Sequence, residues 1–376
     1  MWRTAALAPL AGIALAFSSP GAEERARRVP APGQETAPDG LLILAVLSTE
    51  RAIVADPRSG RTTARELPGG TLCHGPLLAV RDRLVFVGLR RGRLTAVAAP
   101  LRRPESSGRA GAMTISSARD GGRADDGTPQ GPAADDERSP GPAGDVDPPR
   151  GPAGGVRSLD PAEILTASPA PGRVWLGSRS GTGGDRLALR EVDPRARITG
   201  RRVTLPAMSW VQAVIDDGVV VVRGTRIVLV EPDRRVNLSA GWPLAAAGSR
   251  LAWCPEGCRR IRVWSSGTTR TFEPPAAIRP EPGGNAAFSP DGRRLALTVN
   301  GRGRERAAVV DLESGRWRLV PGGRLAGYGA LAWSPSGRWL YFSRGSRVLA
   351  SRGGAEPAVR LPIRTGGSVM DIASTP

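Results

Sequence analysis

The sequence predicts an all-β fold in which a unit of four strands is repeated. Residues 287–297 contain the turn Ser-Pro-Asp-Gly between apolar segments, and residues 332–342, about 45 positions later, contain Ser-Pro-Ser-Gly in the same setting. A period of that size is typical of propellers and other repeat folds. The repeat is therefore the first evidence for the architecture.

Each of these two copies begins with a β-hairpin. Proline pre-sets φ and glycine accepts positive φ, so the motif favours a tight turn, and the apolar residues on both sides favour strands. A second hairpin follows in residues 307–319, where two strands flank a Glu-Ser-Gly turn. One copy is therefore a four-stranded unit.

Weaker copies extend this rhythm over most of the chain. The second hairpin recurs at residues 51–67, 186–205, 226–238, 260–272 and 347–361. Parts of the first hairpin lie at residues 77–87, 174–176, 211–222 and 244–253. About seven four-stranded units result, with six as the alternative count, and this number of blades is usual in β-propellers.

The chain starts and ends within a repeat unit. Residues 41–46 lead directly into a second hairpin, and residues 368–372 follow a completed one. We expect the C-terminal strand to supply the missing inner strand of the first blade. Such closure removes the unpaired edges that an open array would expose.

The two strong copies resemble the repeat of TolB-like and WD40-like β-propellers, in which an apolar or aromatic residue precedes Ser-Pro-Asp-Gly and an apolar strand. Only residues 287–297 and 332–342 match this pattern well. The resemblance implies an interaction module associated with the cell envelope, although similar repeats also accompany peptidase domains. The chain has no room for an α/β-hydrolase domain and no Gly-x-Ser-x-Gly elbow.

Composition limits the possible partners only weakly. The 376 residues carry a net charge of +18, and all 53 basic residues are arginine. A basic surface attracts anionic polymers, but the arginines are spread along the whole chain without a basic block. We therefore do not expect nucleic acid as the partner, and binding of anionic polymers remains an alternative.

The N-terminus has the pattern of a secretory signal peptide in residues 1–22. Arg3 precedes an apolar run that is too short to span a bilayer, and small residues follow it. An uncleaved anchor and a disordered alanine-rich terminus are the alternatives. We expect a flexible leader at residues 23–40, the propeller at residues 41–376, and an extracytoplasmic location without a transmembrane span in the mature chain.

Residues 104–157 form a low-complexity block rich in Gly, Pro, Asp and Ala. Such a segment buries too little apolar surface to offset its ordering entropy. We expect a disordered insertion in the second blade, which a propeller tolerates because loop closure costs only about 0.6 kcal/mol per doubling of length.

Cysteine and histidine are scarce. Cys254 and Cys258 flank a short loop between two strands, which in an exported protein suggests a disulfide. A zinc half-site is the competing interpretation, but the chain has no second cysteine pair and only one histidine, so we expect no metal and no cofactor. Cys73 is expected to be a free thiol, and it cannot form a dyad with His74 because adjacent residues of an extended segment point in opposite directions.

Five residues precede predicted inner strands at comparable offsets. In a propeller the segments between blades open at the mouth of the central funnel, where aromatic side chains suit recognition. The alternative is that the two tryptophans of this set pack between blades. Trp253, Phe288 and Trp333 lie inside strands and are expected in the core. The candidate ligand-binding residues are His74, Trp210, Trp242, Asn285 and Tyr328.

The sequence thus predicts a non-enzymatic, exported and monomeric β-propeller that binds a protein, a peptide or a cell-wall component. The main alternative is a lyase or glycoside hydrolase that uses two carboxylates in the funnel, for which no catalytic residue is identified.

Overall fold

The fold consists of 28 β-strands in the residues that the computed structural model describes. Those residues are 37–46, 51–66, 78–80, 83–90, 93–101, 157–170, 172–180, 185–193, 198–301, 303–326 and 329–375.

The first 15 strands cover the chain up to residue 247. They are β1 (Leu41–Val46), β2 (Arg51–Ala55), β3 (Thr62–Glu66), β4 (Leu78–Val80), β5 (Arg83–Arg90), β6 (Arg93–Pro100), β7 (Arg157–Pro161), β8 (Ile164–Ala167), β9 (Val174–Ser180), β10 (Arg186–Val192), β11 (Ile198–Pro206), β12 (Trp210–Ile215), β13 (Gly218–Arg223), β14 (Arg226–Val230) and β15 (Arg235–Ala247).

The remaining strands begin at residue 250. They are β16 (Arg250–Pro255), β17 (Ile261–Ser265), β18 (Thr268–Phe272), β19 (Ile278–Pro280), β20 (Ala286–Phe288), β21 (Arg294–Gly301), β22 (Arg304–Asp311), β23 (Trp317–Arg324), β24 (Leu331–Trp333), β25 (Trp339–Arg344), β26 (Arg347–Arg352), β27 (Val359–Arg360) and β28 (Val369–Thr375).

Antiparallel pairing joins the strands into successive sheets. Four sheets have the orders β28-β1-β2-β3, β4-β5-β6-β7, β8-β9-β10-β11 and β24-β25-β26-β27. In a fifth, β19 and β20 both pair with β21, which is followed by β22 and β23. A seven-stranded sheet contains β12 to β18.

The seven-stranded sheet divides into two blades within β15. Arg226 of β14 pairs with Ala240, whereas the next residue, Gly241, pairs with Pro255 of β16. Gly241 has a φ of +151°, and a Cβ there would lie 2.2 Å from the carbonyl oxygen of Cys254. Only glycine fits this point, where the outer strand of one blade continues without a loop as the inner strand of the next.

The described strands therefore form seven blades, which we number from the sheet that contains β1. Six blades have four strands, and blade 6 has five because β19 and β20 both pair with β21. Seven apolar clusters match the seven blades, because each cluster draws its residues from two neighbouring blades. Trp175 of blade 3 packs with Val221 of blade 4, and Leu44 of blade 1 packs with Tyr341 of blade 7. The cores of the propeller are thus the spaces between blades.

This arrangement explains why the strands are apolar without alternation. Successive side chains of a strand point to opposite faces of its sheet. In β1, Leu42 and Leu44 contribute to the cluster shared with blade 7, while Ile43 contributes to the cluster shared with blade 2. Both faces of the strand are buried, so both sets of positions are apolar.

The ring closes as the sequence predicted. β28 is the inner strand of blade 1 and pairs with β1 from Leu41↔Thr375 to Val46↔Val369. Blade 7 also contacts the segments at both ends of the described chain: the hydroxyl of Tyr341 donates to the carbonyl of Asp39 at 2.6 Å, and Ser374 Oγ donates to the carbonyl of Trp333. Asp39, which the sequence analysis placed in the leader, is thus hydrogen-bonded to the propeller.

Side-chain hydrogen bonds explain the Ser-Pro-x-Gly repeat. Ser289 Oγ accepts a hydrogen bond from the amide of Arg294 at 2.9 Å, and the carbonyl of Ser289 accepts from Gly292 at 2.7 Å. Gly292 has a φ of +68°, which glycine adopts at low cost. Ser334 accepts from Trp339 and Gly337 in the same way in blade 7.

The insertion predicted at residues 104–157 joins the third and fourth strands of blade 2. β6 ends at Pro100, and β7 begins at Arg157, so the last predicted insertion residue already belongs to a strand. Ala98 pairs with Arg157, which brings the two ends of the connection together. Residues 102–156, like the signal-peptide region, lie outside the described residues.

The two faces of the ring are built from different connections. The amide of Gly241 donates to the carbonyl of Thr225 at 2.8 Å, so the passage between blades 4 and 5 lies beside the turn between β13 and β14. We call the face that carries the segments between blades and the turns between second and third strands the crossover face. No helix in the described part of the chain has the length and apolar character needed to cross a membrane.

Candidate functional site

Trp210 and Trp242 occupy the same structural position in blades 4 and 5. Trp210 pairs with Val222, and Trp242 pairs with Cys254. Each residue of the second pair lies 32 positions after the matching residue of the first pair. Each tryptophan is followed by a register shift two residues later, between Val211 and Ala213 in blade 4 and between the matching residues in blade 5. The inner strands of these blades are neighbours, so the tryptophans lie on adjacent blades at the crossover face.

Both tryptophans are exposed. Trp210 is 57% and Trp242 is 51% accessible, and Met208, two residues before Trp210, is 79% accessible. The alternative in which these rings pack between blades does not hold, because the inter-blade clusters of blades 4 and 5 are filled by Trp253 and other residues instead. We call Met208, Trp210 and Trp242 the aromatic patch.

Asn285 occupies the corresponding position in blade 6. Its carbonyl accepts a hydrogen bond from the amide of Thr298 at 2.8 Å, and it immediately precedes β20. The residue is half-buried, so it offers less surface than the two tryptophans. The structure therefore brings three of the five sequence candidates to the same position on consecutive blades. His74 and Tyr328 lie outside the described residues.

Arginines border the patch at the turns of the crossover face. Arg223 and Arg226 flank the turn between β13 and β14, whose sequence is Arg-Gly-Thr-Arg. A similar turn, Arg-Gly-Ser-Arg from Arg344 to Arg347, lies on the same face in blade 7. Sequence reasoning missed these residues and Met208. The Arg-Gly-x-Arg turn was visible in the sequence, but only strand pairing shows that such turns share one face with the tryptophans.

Glu191 is a buried carboxylate away from this face. Its side chain is inaccessible and accepts hydrogen bonds from Thr199 Oγ1 at 2.6 Å, Arg173 Nη1 at 3.0 Å and Ser168 Oγ. Burial by itself would raise the pKa of Glu191, but the hydrogen bonds from Ser168, Thr199 and Arg173 outweigh it and lower the pKa. Glu191 thus remains ionised and fastens three segments of blade 3.

Cys254 and Cys258 are joined by a disulfide across the turn between β16 and β17, with their Cα atoms 4.9 Å apart. Both residues lie in the core shared by blades 5 and 6. Within the described residues, no group of three or more His, Cys, Asp or Glu side chains is arranged to hold a metal ion. Cys73 lies outside the described residues.

No protein-family model and no curated protein sequence matches the chain. Solved structures do. A protein from Lactobacillus plantarum is 11% identical with a TM-score of 0.50, and the match covers 89% of this chain and 98% of that one. A putative 6-phosphogluconolactonase from Bacteroides fragilis is 9% identical with a TM-score of 0.50, and the match covers 93% and 100%.

TolB from Acinetobacter baumannii is also among the similar structures, at 12% identity and a TM-score of 0.45, and the match covers 89% of this chain and 66% of that one. At these identities a likeness defines the fold and leaves the activity open. The strand pairing confirms the fold predicted from the repeat, and the two structures with a TM-score of 0.50 agree with it: the chain is a β-propeller.

Proposed function

We propose that the protein is a non-enzymatic binding module that holds a protein or peptide partner on its crossover face. The observation that carries this proposal is the aromatic patch. Tryptophan is the residue type most enriched at the centres of protein interfaces, and methionine adapts to varied apolar partners. Exposed apolar groups that lie together on a soluble protein mark interaction sites.

The position of the patch strengthens the proposal. Trp210 begins β12 and Trp242 lies where β15 enters blade 5, and each precedes a buried part of its inner strand in the same register. A rigid sheet holds both rings, so little conformational entropy is lost when a partner orders them. A pair of exposed aromatic surfaces on adjacent blades suits a protein segment or a cell-wall component.

The enzyme alternative predicts a pair of close carboxylates in the funnel. Glu191 is the most deeply buried carboxylate of the described residues, and its three hydrogen-bond donors suit a structural role in blade 3. No other feature of the described residues favours a particular reaction, so we propose no catalytic residue.

Export is part of the proposal. It rests on the signal-like pattern of residues 1–22 and on the Cys254–Cys258 pair, since disulfides persist in oxidising compartments. A location outside the cytoplasm would place the crossover face in contact with envelope proteins and cell-wall material.

The proposal is tested by capture of partners from envelope fractions with immobilised mature protein. Trp210→Ala and Trp242→Ala should each weaken retention of the specific partner by about thirtyfold, which corresponds to the ~2 kcal/mol typical of an interface tryptophan. Val359→Ala is the matched control, because Val359 is equally exposed at 50% but lies on the outer strand of blade 7. Equal retention by all variants would refute the proposal.

A further inference from the structure

We infer that the partner segment is acidic, with an apolar anchor: the aromatic patch holds the apolar side chain while arginines of the crossover face bind the carboxylates around it. This inference rests on the proposed function and adds the chemistry of the partner. It starts from the distribution of charge between the two faces of blades 4 to 7.

Each turn between second and third strands in blades 4 to 7 carries exposed arginine. In and beside these turns only Glu256 and Glu305 are acidic. The exposed arginines are Arg226, Arg259, Arg260, Arg304, Arg344 and Arg347.

The opposite face of the same blades is balanced. Eight carboxyl groups lie in or beside its turns, among them Asp216, Asp217 and Asp291. Arginines there form ion pairs, as Arg234 does with Glu231 at 2.5 Å. Arg173, Arg179, Arg201, Arg234 and Arg352 are among the arginines that form ion pairs with described carboxylates, and none of them belongs to the six exposed arginines of the crossover face. The segments between blades add Glu273 and Glu281, but the six exposed arginines still outnumber the four carboxyl groups of this face. The crossover face of these blades therefore carries an excess of positive charge.

The arginines of blade 4 lie directly beside the aromatic patch. Val222, the pairing partner of Trp210, is followed by Arg223, and the turn after Arg223 contacts Gly241, the residue before Trp242. Arg226, at the other end of this turn, is exposed, so its guanidinium is available to a carboxylate of a bound segment.

Guanidinium groups bind carboxylates with two parallel hydrogen bonds, and an unbalanced positive face speeds the encounter with an acidic partner. Phosphate would satisfy the same arginines. The aromatic patch places a methionine beside its two tryptophans, and a flexible thioether adapts to an amino-acid side chain but offers no flat face on which a base stacks. The observations therefore favour an acidic peptide over a nucleic acid.

The first experiment is selection from a random peptide library displayed on phage against the mature protein. We expect enrichment of sequences in which Asp and Glu flank an aromatic or aliphatic residue. Selection of peptides without acidic enrichment would overturn the inference on partner charge but leave the proposed function standing, provided that Trp210→Ala abolishes their binding.

The second experiment measures the affinity of one selected, fluorescently labelled peptide by anisotropy. Arg226→Glu should weaken binding of this peptide at least about tenfold. A version of the peptide in which Gln and Asn replace Glu and Asp should bind the wild-type protein at least about tenfold more weakly than the original peptide. Arg235→Glu is the matched control, since Arg235 is an exposed arginine of the same blade on the opposite face.

Two outcomes would contradict the inference. Equal losses for Arg226→Glu and Arg235→Glu would mean that net charge, and no defined site, attracts the peptide. Stronger binding of a labelled oligo-dT strand than of the acidic peptide at physiological salt would identify the face as a nucleic-acid surface instead.

Discussion

Removal of β28 is the perturbation that most directly tests how the propeller closes. Val369 and Ile372 are each 1% exposed and belong to the core between blades 7 and 1. Burial of each side chain contributes about 1.5–3 kcal/mol, so the two together account for about 3–6 kcal/mol. The entire free energy of unfolding of a domain is about 5–15 kcal/mol. Deletion of residues 369–376 also leaves β1 as an unpaired edge, so the truncated protein should aggregate or unfold at much lower urea concentration.

A point substitution keeps this prediction testable if the truncated protein fails to fold. Ile372→Ala should lower the free energy of unfolding by about 2–5 kcal/mol, measured by tryptophan fluorescence in urea. Met370→Ala in the same strand is the control, with a loss of about 1 kcal/mol or less, because Met370 is only half-buried. Equal effects of both substitutions, or unchanged stability after truncation, would refute closure by β28.

Three further predictions concern stability. Replacement of Cys254 and Cys258 by serine should cost about 2 kcal/mol, and mass spectrometry without reductant should find this pair oxidised, so two free thiols there would contradict the structure. Deletion of residues 108–155 should leave the melting temperature within about 10 °C of the full chain, because β6 and β7 already pair at the ends of the connection. Glu191→Gln should cost on the order of 3 kcal/mol at neutral pH. Folding lowers the pKa of Glu191 from its ordinary 4.5, so the carboxylate stabilises the fold fully above that pH and progressively less as the pH falls below it. The difference in unfolding free energy between the wild-type protein and the Gln variant, measured in urea, should therefore shrink in acid. A difference that does not change with pH would contradict this role of Glu191.

The sequence predicted the blades because their turns are local. Ser289 and Gly292 specify a hairpin through contacts within six residues, and the same chemistry recurs at Ser334 and Gly337. The closing strand predicted at residues 368–372 followed from counting strands, and the pairing of β28 with β1 confirms it. Trp253, Phe288 and Trp333 are buried, as expected for large apolar residues inside strands.

The site was harder to predict because it depends on register. A one-residue shift in a strand exchanges its two faces, and a bulge separates Trp210 from the buried residues Ala213 and Ile215. The sequence alone therefore left open whether Trp210 and Trp242 were core or surface. The grouping of arginine turns on one face arises from the order of connections in the folded ring, and no local pattern encodes it.

The central claim is that the crossover face at blades 4 and 5 contacts a partner, and site-specific photo-crosslinking tests it most directly. A photoreactive phenylalanine derivative placed at position 242 should form a covalent adduct with an envelope component in intact cells, whereas the same derivative at position 359 should not. Adducts at position 359 alone, or equal adducts at both positions, would contradict the account.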